Sequence, residues 1–156
     1  MVIYGIDPGF SGAVAIWRPA VRVLHIHDMP TLPNAKGKVE LDMHTLLDLL
    51  APEDDGPHLA AVEQVAAMRG QGVSSMFRFG QGYGAIQMAL AAHKLPTQYI
   101  TPAKWKGHFG LTRDKGVSRG LAMQRFPEAA DMFKRAKDDG RAEAALIALY
   151  AQERLT

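Results

Sequence analysis

Two apolar runs separated by a short turn do most to limit what this chain can fold into. Val2-Ile3-Tyr4-Gly5-Ile6 ends in an acid, Asp7, with Pro8 and Gly9 directly behind it. A second run, Ala13-Val14-Ala15-Ile16-Trp17, follows Gly12. Residues 2–7 and 12–17 therefore read as strands joined by a Pro-Gly turn. Residues 21–27, Val-Arg-Val-Leu-His-Ile-His, alternate apolar and polar and read as a half-buried third strand. The three form an antiparallel meander.

Pro30, Pro33, Asn34 and Gly37 make residues 29–38 a loop. A helix over about 41–50 follows, stopped by Pro52 and Gly56-Pro57. Residues 58–65, His-Leu-Ala-Ala-Val-Glu-Gln-Val, read as a buried fourth strand with an acid near its end. After a glycine-rich stretch at 69–73, a long helix capped by Ser74 or Ser75 is expected to reach about His93. Residues 97–101 read as a fifth strand. The remainder is helical, with breaks near Gly107–Gly110, Pro127 and 138–140, and a last helix over about 139–154. The order β-β-β-α-β-α-β plus helices predicts one α/β domain spanning residues 1–156.

Composition narrows the chemistry. The chain has no cysteine among its 156 residues, which excludes a disulfide scaffold, a thiolate zinc site and a cysteine nucleophile. Apolar residues make up 47%, enough for a core. No long apolar span or signal-peptide pattern is present, so an intracellular, cytoplasmic protein with no membrane association is expected. Of the 18 basic residues, nine lie between Lys104 and Lys137. Such a block suggests contact with a polyanion, the alternative being a solvated helical face.

Acids stand where acids are costly. Asp7 and Glu63 each end a strand that otherwise reads as core, where an unpaired carboxylate needs a cation or a raised pKa. Ligands gather at the carboxyl ends of strands in open α/β sheets. Asp138, Asp139 and Glu143 open the final helix. Asp139 and Glu143 are four apart and share a helical face, where like charges oppose each other. A helix cap accounts for Asp138 but poorly for Glu143, which sits among alanines. Together these acids could hold two divalent cations, Mg²⁺ being the natural choice. His25 and His27 share a face of the third strand but lack a third ligand nearby.

Four stretches resemble RuvC-type Holliday-junction resolvases of the RNase H-like superfamily: GIDPGFSGA at 5–13, AVEQV at 61–65, WKGHFGLTRDKGVSR at 105–119 and DDGRAEAALIALY at 138–150. They lie in the expected order over nearly the whole chain. The last two look more like phage-type or shortened members, which fits a protein acting in a bacterial host. The resemblance implies a five-stranded mixed sheet with helices on both faces. It also implies an endonuclease that resolves four-way or branched DNA, leaving 5′-phosphate and 3′-hydroxyl ends, with no nucleotide cofactor; a homodimer, expected from a small-residue helix face at 80–92, would make paired nicks. Two Mg²⁺ ions, replaceable by Mn²⁺, would be held by Asp7, Glu63, Glu143 and a third acid. Many relatives space the last two acids three apart, but Gly140 stands there, so Asp139 is chosen, with Asp138 as the alternative.

The resemblance also places Lys115 beside the scissile phosphate. Lys104, Lys106, Arg113 and Arg119 would follow the DNA backbone. Many relatives stack an aromatic residue on an unpaired base after the AVEQV strand; Met68 as a wedge and Phe77 as a stacker are the candidates here. Arg141 either contacts DNA or neutralises Asp138. Trp105 reads as packing near Pro102 and Phe109, or as stacking on a base. Gly80, Gly84, Ala85 and Ala89 read as a helix-packing or dimer face rather than a phosphate loop. The rival readings are a flap or fork nuclease, a non-catalytic DNA-binding module of the same fold, and an actin-like or sugar-kinase-like ATPase.

Overall fold

In the computed structural model the chain is described except for residues 53, 67–69, 71 and 113, and the side chain of Lys115 is also outside the described set. Strands β1 (Val2–Asp7), β2 (Ala13–Arg18) and β3 (Val23–Asp28) form the expected antiparallel meander. The stretch read as a loop folds instead into a hairpin, β4 (Thr31–Pro33) and β5 (Val39–Leu41). Its turn is held by Asn34, whose Oδ1 accepts from the Lys36 and Lys38 N–H groups at 2.9 and 3.0 Å, while Gly37 takes a φ of 70°. Strands this short and this exposed carry no hydrophobic alternation to read.

Helix α1 (Met43–Leu49) starts later than expected because Asp42 caps it, accepting from the Thr45 N–H at 3.1 Å. Leu41 belongs to β5 instead. Strand β6 (His58–Glu63) ends at its acid. Helix α2 (Val73–Ala92) begins behind Gly72, which supplies no side-chain cap, so Ser74 and Ser75 lie inside its first turn. Strand β7 (Thr97–Ile100) completes the sheet. β6 pairs in parallel with β1, and β7 with β6, giving the order β3-β2-β1-β6-β7.

The C-terminal part holds α3 (Pro102–His108), α4 (Lys115–Arg125), two 3-10 turns at Pro127–Phe133 and Ala136–Asp138, and α5 (Asp139–Leu155). Alternate residues of each strand serve opposite faces. Val2, Tyr4, Ile6, Ala60 and Val62 pack with Leu46, Ile86 and Leu90 of α1 and α2. Ile3, Ala61, Ile100 and Ala15 pack with Trp105, Phe133, Leu146 and Ile147 on the side of α3 and α5. Each buried large aliphatic contributes about 1.5–3 kcal/mol.

Close approach of α5 depends on small residues. A side chain at Gly5 would overlap the Ala144 carbonyl and the Ala148 backbone. Ala144, Ala145 and Ala148 are fully buried in the same layer. Among the described residues no helix is long and apolar enough to cross a membrane.

Candidate active site

Strand parity brings the first two acids together. In β1 the residues facing α5 are Ile3, Gly5 and then Asp7; in β6 they are Leu59, Ala61 and then Glu63. The strands are parallel with Ile6 opposite Val62, so both end in an acid one step further, on one face. Burial disfavours the charged form of Asp7, and the charges of Glu143 and Glu63 add to that, pushing its pKa up to about 7. The Gly9 N–H donates to Asp7 Oδ1 at 3.3 Å and opposes the shift. Burial also raises Glu63, against a hydrogen bond from Trp105 and the charge of Lys106.

Helices α3 and α5 close the site. Glu143 comes from the second turn of α5, its side chain only 13% exposed, and Lys106 Nζ donates to its Oε1 at 2.9 Å. Trp105, one residue earlier, is fully buried and donates from Nε1 to Glu63 Oε1 at 2.9 Å. Sequence reasoning read Trp105 as packing or base stacking; its burial removes the second option. The signal that could have found its role is the indole itself, a large apolar body whose N–H needs an acceptor once buried.

Asp138 and Asp139 answer to arginines. Asp138 is 1% exposed. It accepts from the Arg135 N–H at 2.8 Å and from the Arg135 guanidinium at 2.8 and 3.1 Å. These bonds hold its carboxyl below the usual range. It makes no side-chain cap for α5, so the cap expected at Asp138 belongs to the preceding 3-10 turn. Asp139 pairs with Arg119. Arg141 grips Asp28 with two donors at 2.5 and 2.6 Å and lies 3.7 Å from Asp138. At Gly140 a Cβ would collide with the Ser11 carbonyl and the Gly12 backbone, so in this chain the backbone leaves no room for an acid three positions before Glu143.

Three acids, Asp7, Glu63 and Glu143, thus feel one another's charge at the end of the sheet. Among the described residues no three acids or histidines stand close enough to enclose a metal ion as the side chains lie. The Lys106 ammonium and the Trp105 indole instead flank Glu143 and Glu63. The donor set still suits a hard divalent cation. It is all oxygen, and although burial is the main reason that the Asp7 pKa is raised, the charges of Glu143 and Glu63 raise it further, against the single ammonium of Lys106.

The remaining candidates do not join the three acids. Lys104 is exposed on α3. The basic block is partly neutralised: Arg125 pairs with Glu153 and Lys134 with Asp131, besides the pairs of Lys106, Arg119 and Arg135. Met68, Arg113 and the Lys115 side chain lie outside the described residues. Phe77 is 67% exposed on α2. With Val65, Val73, Met76 and Tyr83 it lines an apolar groove of about 550 Å³ that begins two residues beyond Glu63. Gly80 and Gly84 face open space, and Gly82 is the glycine that packs, against Phe10. Ala89 is buried.

No protein-family model matches the chain. Among solved structures it is similar to Thermus thermophilus RuvC in complex with a Holliday junction substrate, at a TM-score of 0.64 and 18% identity, covering 99% of this chain and 96% of that one. A second Thermus thermophilus RuvC structure aligns at a TM-score of 0.60 and 18% identity, covering 98% and 96%. The likeness establishes a shared fold over nearly the full length of both chains.

Proposed function

We propose that this chain is a divalent-cation-dependent endonuclease acting on branched DNA, four-way junctions first among them. The observation that carries the reading is the convergence of Asp7, Glu63 and Glu143, from three separate elements, at one end of a sheet whose fold matches a protein solved on a Holliday junction. An acid cluster of that kind, holding a cation and with Lys106 beside it, suits a phosphodiester and not an apolar ligand.

Asp7, Glu63 and Glu143 would hold the cation, Mg²⁺ or Mn²⁺. When bound, it would supply Lewis-acid stabilisation of charge on the phosphoryl oxygens. Asp139 could join only by leaving Arg119. Lys106, which donates to Glu143 at 2.9 Å, would neutralise charge next to the scissile phosphate. Lys104, Arg113, Lys115 and Arg119 would bind flanking phosphates and position the strand. Phe77 would stack on an unpaired base or, with the apolar groove, meet a second copy. In a two-fold dimer two sites would nick symmetric strands. Hydrolysis would leave a 5′-phosphate and a 3′-hydroxyl.

The test is cleavage of end-labelled four-way, flap, fork and linear duplex DNA in Mg²⁺. Paired nicks in the four-way substrate are expected. Asp7→Asn and Glu63→Gln should each abolish nicking while leaving junction binding nearly unchanged. Retained nicking in either variant refutes the acid site. Preferred cutting of flaps or forks moves the substrate class, and binding without cleavage in both Mg²⁺ and Mn²⁺ leaves a DNA-binding module.

A further inference from the structure

The three acids are not a self-sufficient set. Trp105 is fully buried, and its indole N–H ends on Glu63 Oε1 rather than on a backbone carbonyl. Its neighbour Lys106 reaches Glu143 Oε1 at 2.9 Å and lies 4.9 Å from the centre of the Trp105 ring. Adjacent residues of one short helix therefore grip two acids that come from β6 and α5. The indole is rigid and packed within the core beside Ile100, Leu146 and Ile147. It cannot follow the carboxylate, so the carboxylate must follow it.

We propose that Trp105 is a positioning residue for the cation site: its indole N–H fixes Oε1 of Glu63, so that the carboxylate presents its other oxygen to the ion. This deepens the nuclease reading and rests on it. A carboxylate at a strand end can rotate through many orientations, and holding one oxygen removes that freedom before the ion arrives. Groups that orient a metal ligand in this way typically set about 10–100-fold in metal affinity. Phenylalanine would fill most of the same space and could donate nothing.

The experiment uses the full chain without DNA. Mg²⁺ binding is measured by calorimetry for the wild type and for Trp105→Phe. The indole ¹⁵N–¹H signal of Trp105, assigned against Trp17→Phe, is followed in parallel. The expected result is Mg²⁺ binding about 10–100-fold weaker in Trp105→Phe. The indole signal should move when Mg²⁺ is added to the wild type, and also in metal-free Glu63→Ala. A structural tryptophan would change thermal unfolding but not Mg²⁺ affinity. Wild-type affinity in Trp105→Phe, or an indole signal indifferent to Glu63→Ala, overturns the inference. Should Trp105→Phe not fold, the indole signal decides alone. A wild-type chain that binds no divalent cation sinks the nuclease reading itself, whereas wild-type binding with an unaffected Trp105→Phe sinks only the role of Trp105.

Discussion

Replacing Asp7 by asparagine should make the metal-free protein more stable at neutral and alkaline pH. The free acid titrates near 3.8 in an unfolded chain and near 7 in the fold. Between those values the folded state keeps a proton that the unfolded state has released. Stability from this group is therefore fully present below pH 3.8 and is lost as the pH rises through 7. At about 1.4 kcal/mol per tenfold change in proton affinity, the loss reaches about 4 kcal/mol above pH 7. Asparagine keeps an oxygen for the Gly9 N–H and carries no charge, so it escapes most of that cost. For a domain of this size the unfolding temperature should rise by on the order of 10 °C. The assay is thermal unfolding in EDTA at pH 5 and pH 8, wild type against Asp7→Asn. The variant should gain most at pH 8 and show the shallower pH dependence. An unfolding temperature at pH 8 equal to or below that of the wild type would refute the claim that Asp7 is a charge held against burial and neighbouring acids.

Asp138→Asn should lower stability by about 1–3 kcal/mol in urea, because it weakens a buried acceptor of the Arg135 guanidinium. Asp139→Asn should change stability by less than about 1 kcal/mol, as expected of a partly exposed ion pair. Lost nicking in Asp139→Asn with unchanged unfolding would mean that this acid leaves Arg119 to join the other three. Gly5→Ala should destabilise by about 1–3 kcal/mol, since the new methyl group meets the α5 backbone. Lys104→Ala should weaken junction binding uniformly across sequences and lower the salt slope by about 1 in a titration from 50 to 200 mM salt.

Much of this was legible in one dimension because it depends on periodicity and on where an acid interrupts it. The continuous apolar runs of β1 and β6 assigned Asp7 and Glu63 to strand ends, and parallel pairing in the fold put them on one face. The β4–β5 hairpin was not legible, since its turn rests on Asn34 bonding to backbone groups two and four residues away. Nor was the fate of the acids opening α5. Asp138 and Asp139 are adjacent in sequence and chemically alike, and only the positions of Arg135 and Arg119 distinguish them.

The order of apolar runs and turns, read along the chain, determined a mixed sheet with acids at its carboxyl edge, because backbone geometry converts spacing directly into direction. Tertiary structure decided which charges share a neighbourhood. Arg141 reaches Asp28, Lys106 reaches Glu143, and Trp105 reaches Glu63 across 113, 37 and 42 residues respectively. Such pairs form only when separate elements pack, and local pattern carries no record of how far apart two side chains will finally lie.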